Sequence, residues 1–420
     1  MLKSLLRRLR QATRRMHFRV IGVAVLTLVA LALSRFLAPL TPAWLGERIG
    51  AGSVDTILQT LASSMLAVTI FSLTIMAGAL QAAAANWTPR SHLVLRQDTI
   101  TQGVLSNFLG AFIFSLLGIV MRAAGLFDDR EIVALFLMAL GVVVLVVVSL
   151  IRWIVHLEGL GSLTFTASRL EAEAATSVRR AAQAPCHGAH PFDPSGAQVP
   201  EGALKIRATK SGYLQQMFEY AIQSEAEERD LCVYVPVPVG GYVLEGQVIA
   251  HVSGTDELDL TAETVLRESL PLGADRSFEE DPVFGVVVLS EVAVRALSPG
   301  VNDPGTAIDV IYRLARVLAP ARVGAMDEPE NDRLWACPLN AEALIGCAFD
   351  PVARDAGNAL EVHEALQIAL GELADVVEDR HMQRAVREVA RRSLARAEQS
   401  ITFAEDLARL RAAKRAGPLP

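Results

Sequence analysis

Four apolar stretches, near residues 18–40, 57–85, 103–121 and 131–154, constrain this chain more than any other feature. A hydrocarbon core of about 30 Å is crossed by roughly 20 apolar residues in a helix. Lipid offers an open backbone no hydrogen-bond partner, so each stretch is expected to be a spanning α-helix. The first follows Lys3, Arg7, Arg8, Arg10, Arg14, Arg15 and Arg19. A signal peptide also starts with positive charge, but this apolar run continues for a full span without a clear small-residue cleavage site. An uncleaved anchor is expected.

Charge orients the spans. Residues 1–160 carry 14 Lys/Arg against 7 Asp/Glu, and the remainder carries 25 against 39. Short loops rich in Lys and Arg stay on the cytoplasmic side, which places the N-terminus inside. The connections 41–56, 86–102 and 122–131 then alternate outside, inside, outside, and the fourth crossing returns the chain to the cytoplasm at Arg152. The acidic residues that follow are expected to form a cytoplasmic region, with both termini on that side. Cys186, Cys232, Cys337 and Cys347 fit neither a zinc spacing nor a disulfide framework, as suits a reducing compartment. No metal or other cofactor is expected.

The spans differ in character. The fourth, Val133 to Ile151, is nearly all Val, Leu and Ala around Gly141, the pattern of a helix in extensive contact with lipid. The second places Thr60, Ser63, Ser64, Ala67, Thr74 and Gly78 along one face, and the third adds Ser106, Asn107 and Gly110. Small and weakly polar stripes permit close helix packing and interhelical hydrogen bonds, and they can also line a water-filled path. No Asp, Glu, Lys or Arg lies at the centre of any span, so the usual signature of a proton relay or voltage sensor is missing.

Beyond the membrane, Ser162 to Ala182 has helical spacing, and Ala184–Pro200 is rich in Pro, Gly and small residues, as in a linker. Cys186, His187 and His190 in that linker lack a fourth metal partner. From Leu204 the period becomes two, and the string Val237 to Val252, with turns at Gly240-Gly241 and Gly246, looks like half of a barrel-sandwich module. Such modules carry biotinyl or lipoyl groups on a hairpin lysine, and no Lys occurs between Lys210 and Lys414, which argues against a carrier. The stretches 282–297, 304–318, 340–353, 357–379 and 381–412 are expected to be helices. The expected fold class is therefore an α-helical membrane protein with an α+β cytoplasmic region. Its parts are a four-helix transmembrane domain (1–160), a juxtamembrane helix and linker (161–200), a small barrel-sandwich-like β-module (201–256), a C-terminal helical bundle (257–412) and a tail (413–420).

One segment, Ser298-Pro299-Gly300-Val301-Asn302-Asp303-Pro304-Gly305-Thr306-Ala307, concentrates polar chemistry at a helix start. Local backbone chemistry accounts for much of it, because Asp303 is a good N-cap and Pro304 suits the first helical position. Ser298, Asn302, Asp303 and Thr306 also gather donors and acceptors where a helix dipole favours anions, making them the candidate ligand-binding residues. This segment resembles the S-P-x-x-N-D-P-x-T-A signature of a bacterial membrane-protein family, domain of unknown function twenty-two fifty-four. Phe71-Ser72, Thr88-Pro89-Arg90, Asp98, Gln102, Phe108, Ser211-Gly212-Tyr213 and Asp281-Pro282-Val283-Phe284-Gly285 agree in order. Gly305 and Trp87 depart from the usual residues. The resemblance implies an inner-membrane architecture and no mechanism.

No phosphate loop, dinucleotide fingerprint, H-E-x-x-H motif or nucleophile elbow is present, which points away from an enzyme. The basic cluster Arg387, Arg391, Arg392 and Arg396 lacks interleaved aromatics, so no nucleic-acid partner is expected. Two readings remain. In the first, the chain is a homo-oligomeric channel or pore for ions or small solutes, embedded in the lipid bilayer and regulated by its cytoplasmic region. In the second, it is a membrane-anchored sensor or scaffold whose cytoplasmic region binds a small anionic ligand or a protein.

Overall fold

The computed structural model describes residues 29, 51–86, 90, 99–125, 129–159, 163–193, 199–323 and 328–416. The apolar stretch expected near 18–40 and the basic N-terminus lie outside these residues, apart from Val29, which is helical. The chain divides into two units, residues 1–86 with 95–166 and residues 87–94 with 167–420.

The first unit contains α1 (Ala51–Asn86), α2 (Thr99–Ala123) and α3 (Asp129–Gly159). Among the described residues these are three helices long and apolar enough to cross a membrane, over Gly52–Gly78, Ile100–Ala123 and Glu131–Leu157. At about 1.5 Å per residue even the 24-residue stretch exceeds the hydrocarbon thickness. The helices are antiparallel neighbours: Arg122 near the end of α2 pairs with Asp55 near the start of α1 at 3.0 Å. Two apolar clusters hold the unit together. Val54, Leu58, Phe114, Leu135 and Ala139 form one, and Leu61, Met65, Val104, Phe108, Val146 and Trp153 the other.

Most of α4 (Leu163–Gln183), from Ala167 on, belongs to the second unit, and the helix overlaps the expected juxtamembrane helix closely. Next come strands β1 (Ala189–Pro191), β2 (Leu204–Arg207) and β3 (Gly212–Leu214), helix α5 (Glu219–Glu228), strands β4 (Cys232–Val235), β5 (Tyr242–Val243) and β6 (Val248–Ser253), helix α6 (Leu260–Glu268) and strand β7 (Leu272–Gly273). Helices α7 (Pro282–Leu297) and α8 (Pro304–Leu318) precede strand β8 (Asn331–Ala336), and α9 (Ala341–Asp355), α10 (Leu360–Val376), α11 (Arg380–Ser400) and α12 (Ala404–Ala416) complete the unit.

The strands form a five-stranded sheet of order β1-β8-β4-β6-β2 and a three-stranded ribbon of order β5-β3-β7. Pairings β1/β8 and β4/β8 are parallel, and the others are antiparallel. The sheet thus draws β1 from the expected linker and β8 from the expected helical stretch, beyond the 201–256 expected for it. Two parallel neighbours explain why, since parallel pairing requires strands distant in sequence. Both sheets share one core that includes Ile206, Leu214, Val233, Val243, Val252 and Leu334, with Ile222 and Ala226 of α5 against it.

Helices α7 and α8 have the boundaries that periodicity suggests, because each starts with a capping Asp followed by Pro. The single long segment expected over 381–412 is instead two helices. The chain breaks at Ile401, and α12 folds back so that Leu410 is buried with Ile401, Ala397 and Leu360. Gly285 of α7 lies so close to α4 that a Cβ there would fall 2.8 Å from the Ala174 Cα.

Candidate functional site

The signature segment is the turn from α7 into α8. The Ser298 hydroxyl donates to the Arg295 carbonyl at 2.7 Å, and the Ser298 carbonyl accepts from the Val301 and Asn302 amides. Asn302 has a left-handed backbone, φ 50°, a conformation that Asn tolerates better than most residues. The Asp303 amide then donates back to the Ala296 carbonyl at 2.8 Å, closing the turn.

Asp303 caps α8. Its Oδ1 accepts from the Thr306 amide at 3.0 Å and its Oδ2 from the Thr306 hydroxyl at 2.5 Å. Those two bonds hold its carboxyl below the ordinary aspartate range. All four expected residues therefore meet in one turn, but Ser298, Asp303 and Thr306 spend their polar groups on the backbone or on each other. A carboxylate already occupies the position a bound anion would take at this helix start. Asn302 is left exposed at the tip.

The same helix carries a second set of charges. Arg313 donates from Nη1 to Glu171 of α4 at 2.6 Å and to the Ser168 hydroxyl at 3.1 Å, and from Nε to Asp309 at 2.6 Å. Arg316 adds a bond from Nε to Glu171 at 2.9 Å. Burial raises the Glu171 carboxyl, but the hydrogen bonds from Arg316 and Arg313 outweigh it and leave the group below the ordinary glutamate range. On α7, Glu291 pairs with Arg90, and Asp281, fully buried, accepts from Arg276 at 2.6 Å while capping the helix. Burial raises the Asp281 carboxyl above its usual range despite Arg276.

A row of side chains crosses the five-stranded sheet on the face opposite its core. Register partners His190, Trp335, Tyr234, His251 and Lys205 supply one residue from each strand. The His190 and Trp335 rings stack at 4.6 Å and 16°, and Tyr234 stacks on Trp335 at 4.8 Å and 25°. Burial and the neighbouring Lys205 both lower the His251 imidazole below its ordinary value. Sequence inspection missed this row because it needs the parallel β1/β8 and β8/β4 pairings.

In the membrane unit the expected stripe divides. Thr60, Ser63, Ser64 and Thr74 are exposed on α1, and the Thr60, Ser63 and Thr74 hydroxyls donate to carbonyls of their own helix. Ser106 is buried and bonds to the Gln102 carbonyl at 2.7 Å, and the Asn107 amide donates to the Ser149 hydroxyl at 3.0 Å. The polar residues of α1 that face inward are Thr69 and Ser72. Helix α3 is not uniformly lipid-like: Ser149, Trp153 and His156 are buried, and His156 Nε2 lies 3.1 Å from the Thr101 hydroxyl. The i, i+4, i+7 spacing of these three is the signal that marks them.

No group of three or more His, Cys, Asp or Glu side chains that could hold a metal occurs among the described residues. The four cysteines are unpaired, and burial pushes the Cys186 and Cys337 thiols up to about 11.

The uncharacterized proteins Mb1321c of Mycobacterium bovis and Rv1290c of Mycobacterium tuberculosis are each 30% identical to the chain over 163 residues. Those alignments cover 36% of this chain and 31% of each relative's length. No solved structure matches. A family model described as predicted membrane protein (DUF2254) matches residues 13–372, from before α1 into α10, and the chain belongs to that family.

Proposed function

We propose that the protein is a non-enzymatic, homo-oligomeric pathway for ions or small solutes in the bacterial inner membrane, regulated by a cytoplasmic region. The observation that carries this reading is a contrast between two exposed helix faces. The outward face of α3 is Leu137, Leu140, Val144, Val147, Val148, Ile151 and Val155, a surface suited to lipid. That of α1 interrupts the exposed apolar residues Leu66, Ile70 and Phe71 with Thr60, Ser63, Ser64 and Thr74. Lipid gives a hydroxyl stripe no advantage over an apolar one, whereas a neighbouring helix or a water-filled path does. The reading includes four spans, the first near residues 18–40, with both termini cytoplasmic, and two small sheets arranged as a barrel-sandwich-like module. Purified protein in liposomes should pass ions or osmolytes faster than protein-free vesicles. Folded protein that passes neither contradicts the reading.

A second reading, a membrane-anchored sensor or scaffold, is favoured by the row His190-Trp335-Tyr234-His251-Lys205. Stacked rings beside a lysine suit a small anionic ligand or an acidic protein surface. Under this reading Lys205→Glu abolishes ligand capture by the full-length protein and leaves solute flux unchanged.

A further inference from the structure

Three contacts set the register of the membrane helices. Leu58 against Gly118 aligns α1 with α2, and the bonds Asn107–Ser149 and Thr101–His156 align α2 with α3. Continuing these antiparallel registers puts Ser72 and Trp153 at one level, both beside Val104, which shares an apolar cluster with Trp153. The level above holds Asn107 with Ser149, and the level below holds Thr101 with His156. Three successive levels of the bundle interior are therefore polar, all in the half nearest the end of α3.

The middle level is chemically incomplete. The Ser72 hydroxyl and the Trp153 indole N–H belong to side chains 0% and 2% exposed, and neither has a hydrogen-bond partner among the described residues. Leaving such a group unmade costs about 1–3 kcal/mol, and lipid supplies no alternative partner. Trp153 can only donate and Ser72 can do both, so a guest that satisfies them must accept and gain from donating. No formal charge lies in α2 between Thr99 and Met121 or in α3 between Ile132 and Ile151. An unhydrated ion would meet no counter-charge here.

We propose that Ser72 and Trp153, flanked by Asn107 and Ser149, bind water and small uncharged hydrogen-bonding solutes inside each chain's bundle, on the side of α1 away from its exposed hydroxyls. This binding level does not depend on the conduction reading.

The test uses the full-length protein in nanodiscs with 15N-labelled tryptophan. The chain has four Trp residues, so the indole signal missing from Trp153→Phe identifies Trp153. In the unsubstituted protein that N–H should exchange with water and shift on titration with urea. That shift should require severalfold more urea in Asn107→Leu. An N–H that neither exchanges nor shifts overturns the proposal. A shift that is unchanged in Asn107→Leu overturns the part assigned to Asn107.

Discussion

Arg313 of α8 and Glu171 of α4 are joined at 2.6 Å, with the Arg313 side chain only 8% exposed. The helix that begins at the signature turn is thereby tied to the helix that leads out of the 160s. Arg313 also holds Asp309, so its guanidinium serves two carboxylates from a largely buried position.

Removing one partner of such a pair leaves the other buried without its counter-charge. Arg313→Ala should destabilise the protein by about 2 kcal/mol, and Arg316→Ala, at a 59% exposed side chain, by well under half of that. Thermal unfolding in detergent checks the ranking. Because Glu171 has a lowered carboxyl, its contribution is complete above the ordinary glutamate value and is lost as pH falls through the folded one. Glu171→Gln should therefore narrow the stability difference between pH 7 and pH 4.

The signature turn makes a separate prediction. Asp303→Ala removes the N-cap and should cost about 1 kcal/mol. Asn302→Gly should be nearly neutral at φ 50°, and Asn302→Val should cost about 1–2 kcal/mol because a β-branched residue resists that backbone. Chemical denaturation of the three variants checks this order. A loss in Asn302→Gly as large as in Asn302→Val would show that the Asn side chain, rather than its backbone, matters.

His363 of α10 is 1% exposed, with Nε2 3.0 Å from the Gly357 carbonyl. Burial lowers its imidazole below the ordinary value, and the bond to Gly357 offsets only part of that. The unfolded chain therefore binds the proton more readily, and stability falls as pH drops below about 6.5. Comparing melting temperatures at pH 7.5 and 5.5 should show a smaller decline in His363→Phe than in the unsubstituted protein. Equal declines would remove His363 as a source of the pH dependence.

The three described spans and the capped helices are readable from local signals: a long apolar run, or Asp followed by Pro before a 3.6-residue period. Strand β8 escapes such reasoning. Its six residues, Asn331-Asp332-Arg333-Leu334-Trp335-Ala336, lie between helices and owe their state to parallel partners about 100 and 140 residues earlier in sequence. Periodicity shows that Thr60, Ser63 and Thr74 share a face of α1, but which face packs depends on neighbouring helices, so their exposure was not legible. The capping role of Asp303 was legible. The two hydrogen bonds it accepts from Thr306, which set its carboxylate at the expected anion position, required geometry.

The most direct test of the central claim is the number of copies in the protein extracted into nanodiscs, read by native mass spectrometry. The three described spans are too few to enclose a path singly, so under the proposed reading the hydroxyls exposed on α1 predict an assembly of three or more chains. Ser63→Cys should cross-link those neighbours. A stable, folded monomer would contradict the oligomeric pathway.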